Sequence, residues 1–203
     1  MLILAKTALA MMLGFIFAII TGIIAIPLLK KINCRQHVSQ VIGERHLKKE
    51  GTPTMGGIIF IVPVLITLFL LYLRGSIELN HNLIILLFVF LAYAFLGFID
   101  DWLKVKYHNN QGLRISTKFL IQMVIALIFF YIFMKNGGEP VLKISSLNLV
   151  LPMGWTFGLF ILFLLVGTSN AVNITDGLDG LCGGLSMIAF VAFGIITWNT
   201  TWM

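Results

Sequence analysis

The sequence has 203 residues, of which 59% are hydrophobic and only 11% charged, with a mean hydropathy of +1.02 and a formal net charge of +6. An apolar fraction this far above that of an ordinary globular domain, gathered in long uninterrupted stretches, excludes a soluble fold. It predicts an all-α, polytopic integral membrane protein. The predicted spans, in chain order, lie near residues 7–29, 56–73, 82–101, 118–134, 153–173 and 181–200, all in a single transmembrane domain over 1–203. A bilayer core takes about 20 apolar residues per helix, and each stretch except the slightly short fourth meets that length. The first is too long for the apolar core of a secretory signal and is followed by further spans, so it is read as a helix of the protein.

Basic residues set the orientation. Lys30, Lys31, Arg35, Arg45, Lys48 and Lys49 fall between spans one and two, and Lys104, Lys106, Arg114 and Lys118 between spans three and four. These are ten of the fourteen Lys and Arg; Lys6, Arg74, Lys135 and Lys143 fall on the other side. The basic loops are therefore expected inside and the N-terminus outside. Because this bias accounts for most of the positive charge, no nucleic-acid partner is read from it. Cys34 and Cys182 both fall on the inner side, where thiols stay reduced, and no disulfide is expected.

All four aspartates, Asp100, Asp101, Asp176 and Asp179, fall on that inner side by span parity, in two clusters that each abut a span. Three stretches there suggest one polar site. In HLKKEGTPTMGG, residues 46–57, Thr52 or Thr54 is placed to cap the second span, Pro53 suits a first helical turn, and Gly56 and Gly57 permit close approach. With Lys48 and Lys49 beside it, that helix start is a phosphate-site candidate, or simply a capped helix beside a basic loop. In FLGFIDDWLKVKY, residues 95–107, the pair Asp100–Asp101 is expected near the C-terminal end of span three, where the helix dipole disfavours negative charge. Lys104 and Lys106 would neutralise part of it as a local ion-pair patch; alternatively, the pair is a general base or a Mg²⁺ site, since Mg²⁺ takes one or two carboxylates together with substrate phosphates. In GTSNAVNITDGLDGLCGG, residues 167–184, Asn170, Asn173, Asp176 and Asp179 recur at intervals of three, and Gly177, Gly180, Gly183 and Gly184 predict that the helix breaks into a loop. An anion cradle, a carboxylate pair and an Asn/Asp wall suit phosphoryl transfer at a membrane surface. A transporter would place such acids near the bilayer midplane instead. A structural scaffold leaves both clusters unexplained.

The three runs HLKKEGTPTMGG, GFIDDWLKV and NAVNITDGLDGL, in this order, closely resemble the bacterial phospho-N-acetylmuramoyl-pentapeptide-transferase family, within the polyprenyl-phosphate N-acetylhexosamine-1-phosphate transferases. The resemblance implies a Mg²⁺-dependent enzyme of the inner (cytoplasmic) membrane with its active site on the cytoplasmic face. Its implied substrates are UDP-MurNAc-pentapeptide and undecaprenyl phosphate in the bilayer, and its products lipid I and UMP. Asp100 and Asp101 match the family's aspartate pair, with a catalytic or metal-organising role. Lys49, Thr54, Asn170, Asn173, Asp176, Gly177, Leu178 and Asp179 match positions lining the nucleotide and active-site cleft. Residues 135–154 would fit a short external hairpin, and pairing of two copies into a homodimer is admitted. The nearest rival is a sister transferase that uses UDP-GlcNAc on the same lipid. The family fold has ten spans, whereas six are predicted here. A later Gly-Asp motif and a histidine-rich motif are not represented in these 203 residues, so a fragment or truncated chain, of doubtful activity by itself, is expected.

Overall fold

The computed structural model describes residues 2–32, 53–107, 112–144, 147–177 and 180–199. Six helices and one hairpin are seen among them: α1 Leu2–Lys31, α2 Ile58–Leu73, α3 His81–Tyr107, α4 Ile115–Lys135, β1 Val141–Ile144, β2 Leu149–Pro152, α5 Thr156–Thr175 and α6 Leu181–Asn199. Helices α1, α3, α4 and α5 are long and apolar enough to cross a membrane, whereas α2 and α6 are shorter apolar helices. Their outward faces carry large apolar side chains, such as Phe15, Phe60, Phe95, Phe163 and Phe190, which water would not solvate and lipid would. The protein is a polytopic helical membrane protein. Contacts divide the chain into two units, Met1–Ile121 and Gln122–Met203.

In the first unit α1 and α2 run antiparallel. A Cβ on Gly14 would lie 3.9 Å from Thr67 Oγ1 and one on Gly22 would lie 3.5 Å from Ile59 Cγ2, so the two glycines let the backbones close up. Lys6 Nζ donates to the Ser76 carbonyl at 3.2 Å at one end of this pair. At the other end Leu29 of α1 and the buried Met55 form a small apolar cluster against which Ile58 of α2 and Val105 of α3 pack.

Thr54 does not cap α2. The helix starts at Ile58, with Gly57 as its N-cap and no side-chain cap hydrogen bond, and Pro53 lies ahead of the first turn. The reason is Met55, whose φ of 65° is left-handed and cannot be continued from Thr54 into a helix. At its far end α2 closes on Gly75 (φ +63): the Gly75 N–H donates to Tyr72 O and the Ser76 N–H to Leu71 O. These are the paired bonds of a glycine-terminated helix.

In the second unit Phe129, Phe133, Phe157 and Phe160 form a run of ring contacts between α4 and α5, with centroids 5.6–6.1 Å apart. A Cβ on Gly158 would lie 3.1 Å from the Phe130 ring, so this glycine sets how closely α5 approaches α4. Helix α4 ends as α2 does, with Gly137 at φ +80 and the Gly138 N–H on Phe133 O. The antiparallel β1–β2 hairpin follows, pairing Val141 with Pro152 and Ile144 with Leu149. The break after α5 is shorter than the glycines suggest, because Gly183 and Gly184 are helical within α6.

Candidate functional site

The carboxylate pair does not stand at a helix end. Helix α3 runs on to Tyr107, which leaves Asp100 and Asp101 inside it and removes the dipole penalty expected at a C-terminus. Helix continues through them because Lys104, one turn on, answers both charges. Its Nζ lies 2.7 Å from Asp100 Oδ2 and 3.2 Å from Asp101 Oδ1. Lys106 does not share in this: its ammonium lies over the Tyr107 ring, 5.6 Å from the centroid. A second cation comes from α4, where Lys118 Nζ stands 3.7 Å from Asp100 Oδ2.

The two aspartates differ in everything but charge. The Asp100 side chain is 9% exposed and that of Asp101 29%. Asp100 Oδ1 accepts the Leu113 N–H at 2.9 Å, which ties down the turn before α4. That turn approaches so closely that a Cβ on Gly112 would fall 2.6 Å from Asp100 Oδ1, at a left-handed φ of +53. Asp101 Oδ2 accepts the Met55 N–H at 3.1 Å, 46 residues away in sequence. A left-handed methionine costs about 1–3 kcal/mol, and burial of its side chain with this charge-assisted bond at its N–H offsets that cost. Each carboxylate thus clamps one loop. Among the described residues, two carboxylates and two ammonium groups together form a cluster with no net charge, built on α3 and the start of α4.

Among the predicted site residues, Thr54, Asp100 and Asp101 are brought together, since Thr54 directly precedes the clamped Met55. Asn170 and Asn173 lie on α5 and Asp176 is its C-cap, with φ −76 and ψ 29 and its N–H on Val172 O. Gly177 lies in the turn that follows, and Asn173 and Asp176 are exposed. Lys49, Leu178 and Asp179 lie outside the described residues, as do Thr52, Lys48 and Cys34. Among the described residues no group of three or more His, Cys, Asp or Glu side chains is gathered as a metal cluster.

Two further participants were not singled out in the sequence. Lys118 reads as one more basic loop residue until α4 sets it beside Asp100. Gln122 is fully buried on α4, at 0% exposure. Its Nε2 donates to Ser169 Oγ at 3.1 Å, and its Oε1 accepts from Asn170 Nδ2 at 2.8 Å. A lone amide inside an apolar span was the available signal, since such a group must find partners there.

Residues 83–203 match glycosyl transferase family 4, and residues 49–61, which include Lys49, Thr54 and Met55, match the phospho-N-acetylmuramoyl-pentapeptide-transferase signature 1. Among similar proteins are three named phospho-N-acetylmuramoyl-pentapeptide-transferase. That of Bacillus licheniformis is 40% identical over 187 residues, 92% of this chain and 57% of the relative. That of Geobacillus thermodenitrificans is 40% identical over 190 residues, 94% of this chain and 58% of the relative. That of Bacillus subtilis is 38% identical over 188 residues, 93% and 58%. The chain therefore spans somewhat more than half the length of the relatives it matches.

Proposed function

This chain belongs to glycosyl transferase family 4 and carries the signature loop of its muramoyl-pentapeptide branch, and from that premise we propose that the protein transfers phospho-MurNAc-pentapeptide from UDP-MurNAc-pentapeptide to undecaprenyl phosphate, giving lipid I and UMP. The observation that carries the reading is the hydrogen bond from Met55 N–H to Asp101 Oδ2, which joins the signature loop to the aspartate pair of the family segment. Two stretches that are separate motifs in the sequence are thereby joined in one polar cluster.

In the proposed reaction an oxygen of the lipid phosphate bonds to the sugar-linked phosphorus, and the bond from that phosphorus to the bridging oxygen breaks, so UMP leaves with the electron pair. Asp101, the more open carboxylate, is the one able to take a proton from the incoming lipid phosphate. Asp100, held by the Leu113 N–H and two lysines, keeps Lys104 and Lys118 in place. The lysines offer positive charge to phosphate oxygens, and Lys49 and Thr54 of the signature segment are assigned to the same phosphate-binding role. To Asn170, Asn173, Asp176, Gly177, Leu178 and Asp179 we assign the binding of the nucleotide–sugar donor.

The donor set also fits Mg²⁺. Asp100 and Asp101 supply hard carboxylate oxygens with lone pairs beyond those their present partners use, and a cluster with no net charge cannot by itself neutralise incoming phosphates. Bound through these two carboxylates, Mg²⁺ would neutralise charge on the diphosphate as the bond to UMP breaks. The site would face the cytoplasm, where the basic loops are expected, in a cytoplasmic membrane that supplies the lipid acceptor. A homodimer is compatible with the apolar outer faces of the helices.

The test is UMP release by the protein as the cell makes it, from UDP-MurNAc-pentapeptide and undecaprenyl phosphate in detergent, with UDP-GlcNAc run alongside. Lipid-linked product from the muramoyl donor supports the reading. Product from UDP-GlcNAc alone assigns the sister reaction instead, and cation flux without UMP sinks both.

A further inference from the structure

The buried amide on α4 has a directional consequence for Asn170. The chain of orientations starts at the Val166 carbonyl, which can only accept. Asn170 Nδ2 donates to it at 2.8 Å, so the Asn170 amide must turn its NH₂ inward. The second Nδ2 hydrogen goes to Gln122 Oε1 at 2.8 Å, so Gln122 must present its oxygen to Asn170 and its Nε2 to Ser169 Oγ. Turning the Asn170 amide over would set its oxygen against the Val166 carbonyl, acceptor to acceptor. Both donors of Asn170 are thus used. Its Oδ1 has no partner among the described residues, and Asn170 is only half-buried, so that oxygen is left to whatever enters from outside.

We propose that Gln122 is a positioning residue that fixes Asn170 as an acceptor only, so that the site meets an electropositive group there and not a phosphate oxygen. This rests on the reading of the Asn170 segment as part of the substrate cleft. A phosphate oxygen needs a donor, and Asn170 has none to spare. The partner is a hydroxyl or amide N–H of the sugar–peptide donor, or a divalent cation. Gln122 is fully buried and touches no substrate itself; its contribution is the fixed direction of its neighbour.

Two variants test this. Gln122→Met keeps the volume and removes the acceptor, while Gln122→Glu keeps an acceptor for Asn170 Nδ2 and lets the Ser169 hydroxyl turn round to donate. In wild type the two side-chain amide protons of Asn170, read by ¹⁵N NMR, both exchange slowly with water; in Gln122→Met one exchanges fast and in Gln122→Glu both stay slow. Loss of a bond of this kind should lower kcat/KM about fivefold or more in Gln122→Met, with Gln122→Glu within about twofold of wild type. In an Asn170→Ala background Gln122→Met should cost nothing further in kcat/KM, because the effect passes through Asn170. A raised KM for the UDP-sugar at saturating Mg²⁺ assigns the partner to the substrate; a raised Mg²⁺ requirement at saturating UDP-sugar assigns it to the cation. Unprotected Asn170 amide protons in wild type, or an equal loss in the Asn170→Ala background, overturn the proposal. If the wild-type protein releases no UMP, it is the transferase reading that fails, and the NMR arm decides the orientation of Asn170 by itself.

Discussion

Gly112 and Asp100 are in contact through the absence of a side chain: a Cβ at Gly112 would stand 2.6 Å from Asp100 Oδ1 and 2.9 Å from Lys104 Cε. The buried carboxylate has room to accept the Leu113 N–H only because nothing projects from the residue before it. Gly112→Ala should therefore displace Asp100 and Lys104 together. Its left-handed φ adds strain of about 1–3 kcal/mol. The expected result is a lower melting temperature in detergent and strongly reduced UMP release; full activity in this variant would show that the Asp100 position is not critical.

The unequal burial of the aspartates predicts unequal phenotypes. Asp100→Asn leaves Lys104 and Lys118 without their shared buried counter-charge, and should cost roughly 1–3 kcal/mol of stability as well as activity. Asp101→Asn weakens a partly exposed ion pair, worth under about 1 kcal/mol, and keeps an amide oxygen to accept the Met55 N–H, so it should melt near wild type while losing UMP release. Melting curves and turnover measured on both variants separate the two roles.

Lys104 holds both carboxylates, so its removal should make the site dependent on another cation. In Lys104→Met the pair keeps, among the described residues, only Lys118 as a counter-charge, 3.7 Å from Asp100 Oδ2. Added Mg²⁺ should then raise the melting temperature more than it does in wild type, because binding to the folded state alone stabilises it. Equal shifts in the two proteins would argue that the carboxylates do not take the ion.

Chelation gives a direct check of the metal assignment. EDTA treatment should abolish UMP release, and Mg²⁺ in excess should restore it. Turnover that survives exhaustive chelation would leave neutralisation of the phosphates to Lys104 and Lys118.

The α4–α5 contact is a packing prediction independent of chemistry. Gly158→Leu would drive a side chain into the Phe130 ring, and overpacking of this kind costs typically about 1–3 kcal/mol. Thermal melting should fall, and Gly158→Ala should fall less.

The sequence made the helical membrane architecture plain, because long apolar runs have few other uses. It also made the chemistry of the aspartate pair plain, because two acids beside an apolar span need a reason. Helix ends were harder. Asp100 and Asp101 look like a span terminus by hydropathy, yet helix persists to Tyr107 because hydrogen bonding along the backbone does not depend on where apolar side chains stop. Thr54 looks like a cap by residue type, but the conformation of Met55 decides where α2 starts, and no residue-type preference foretells a left-handed methionine. Gln122 stood in view in an apolar span. What could not be read was the direction of its bonds, which depends on the Val166 carbonyl 44 residues later.

Met55 is held by its N–H on Asp101 and by its side chain against Leu29, while α2 begins three residues further on and its second residue, Ile59, faces Gly22 of α1. Both ends of the Met55–Ile58 step are fixed, so its length is fixed too. One residue inserted there would turn α2 by about 100° about its axis and carry Ile59 away from the glycine notch that receives it. This step should admit substitution at Gly56, which has open space around it, but neither insertion nor deletion.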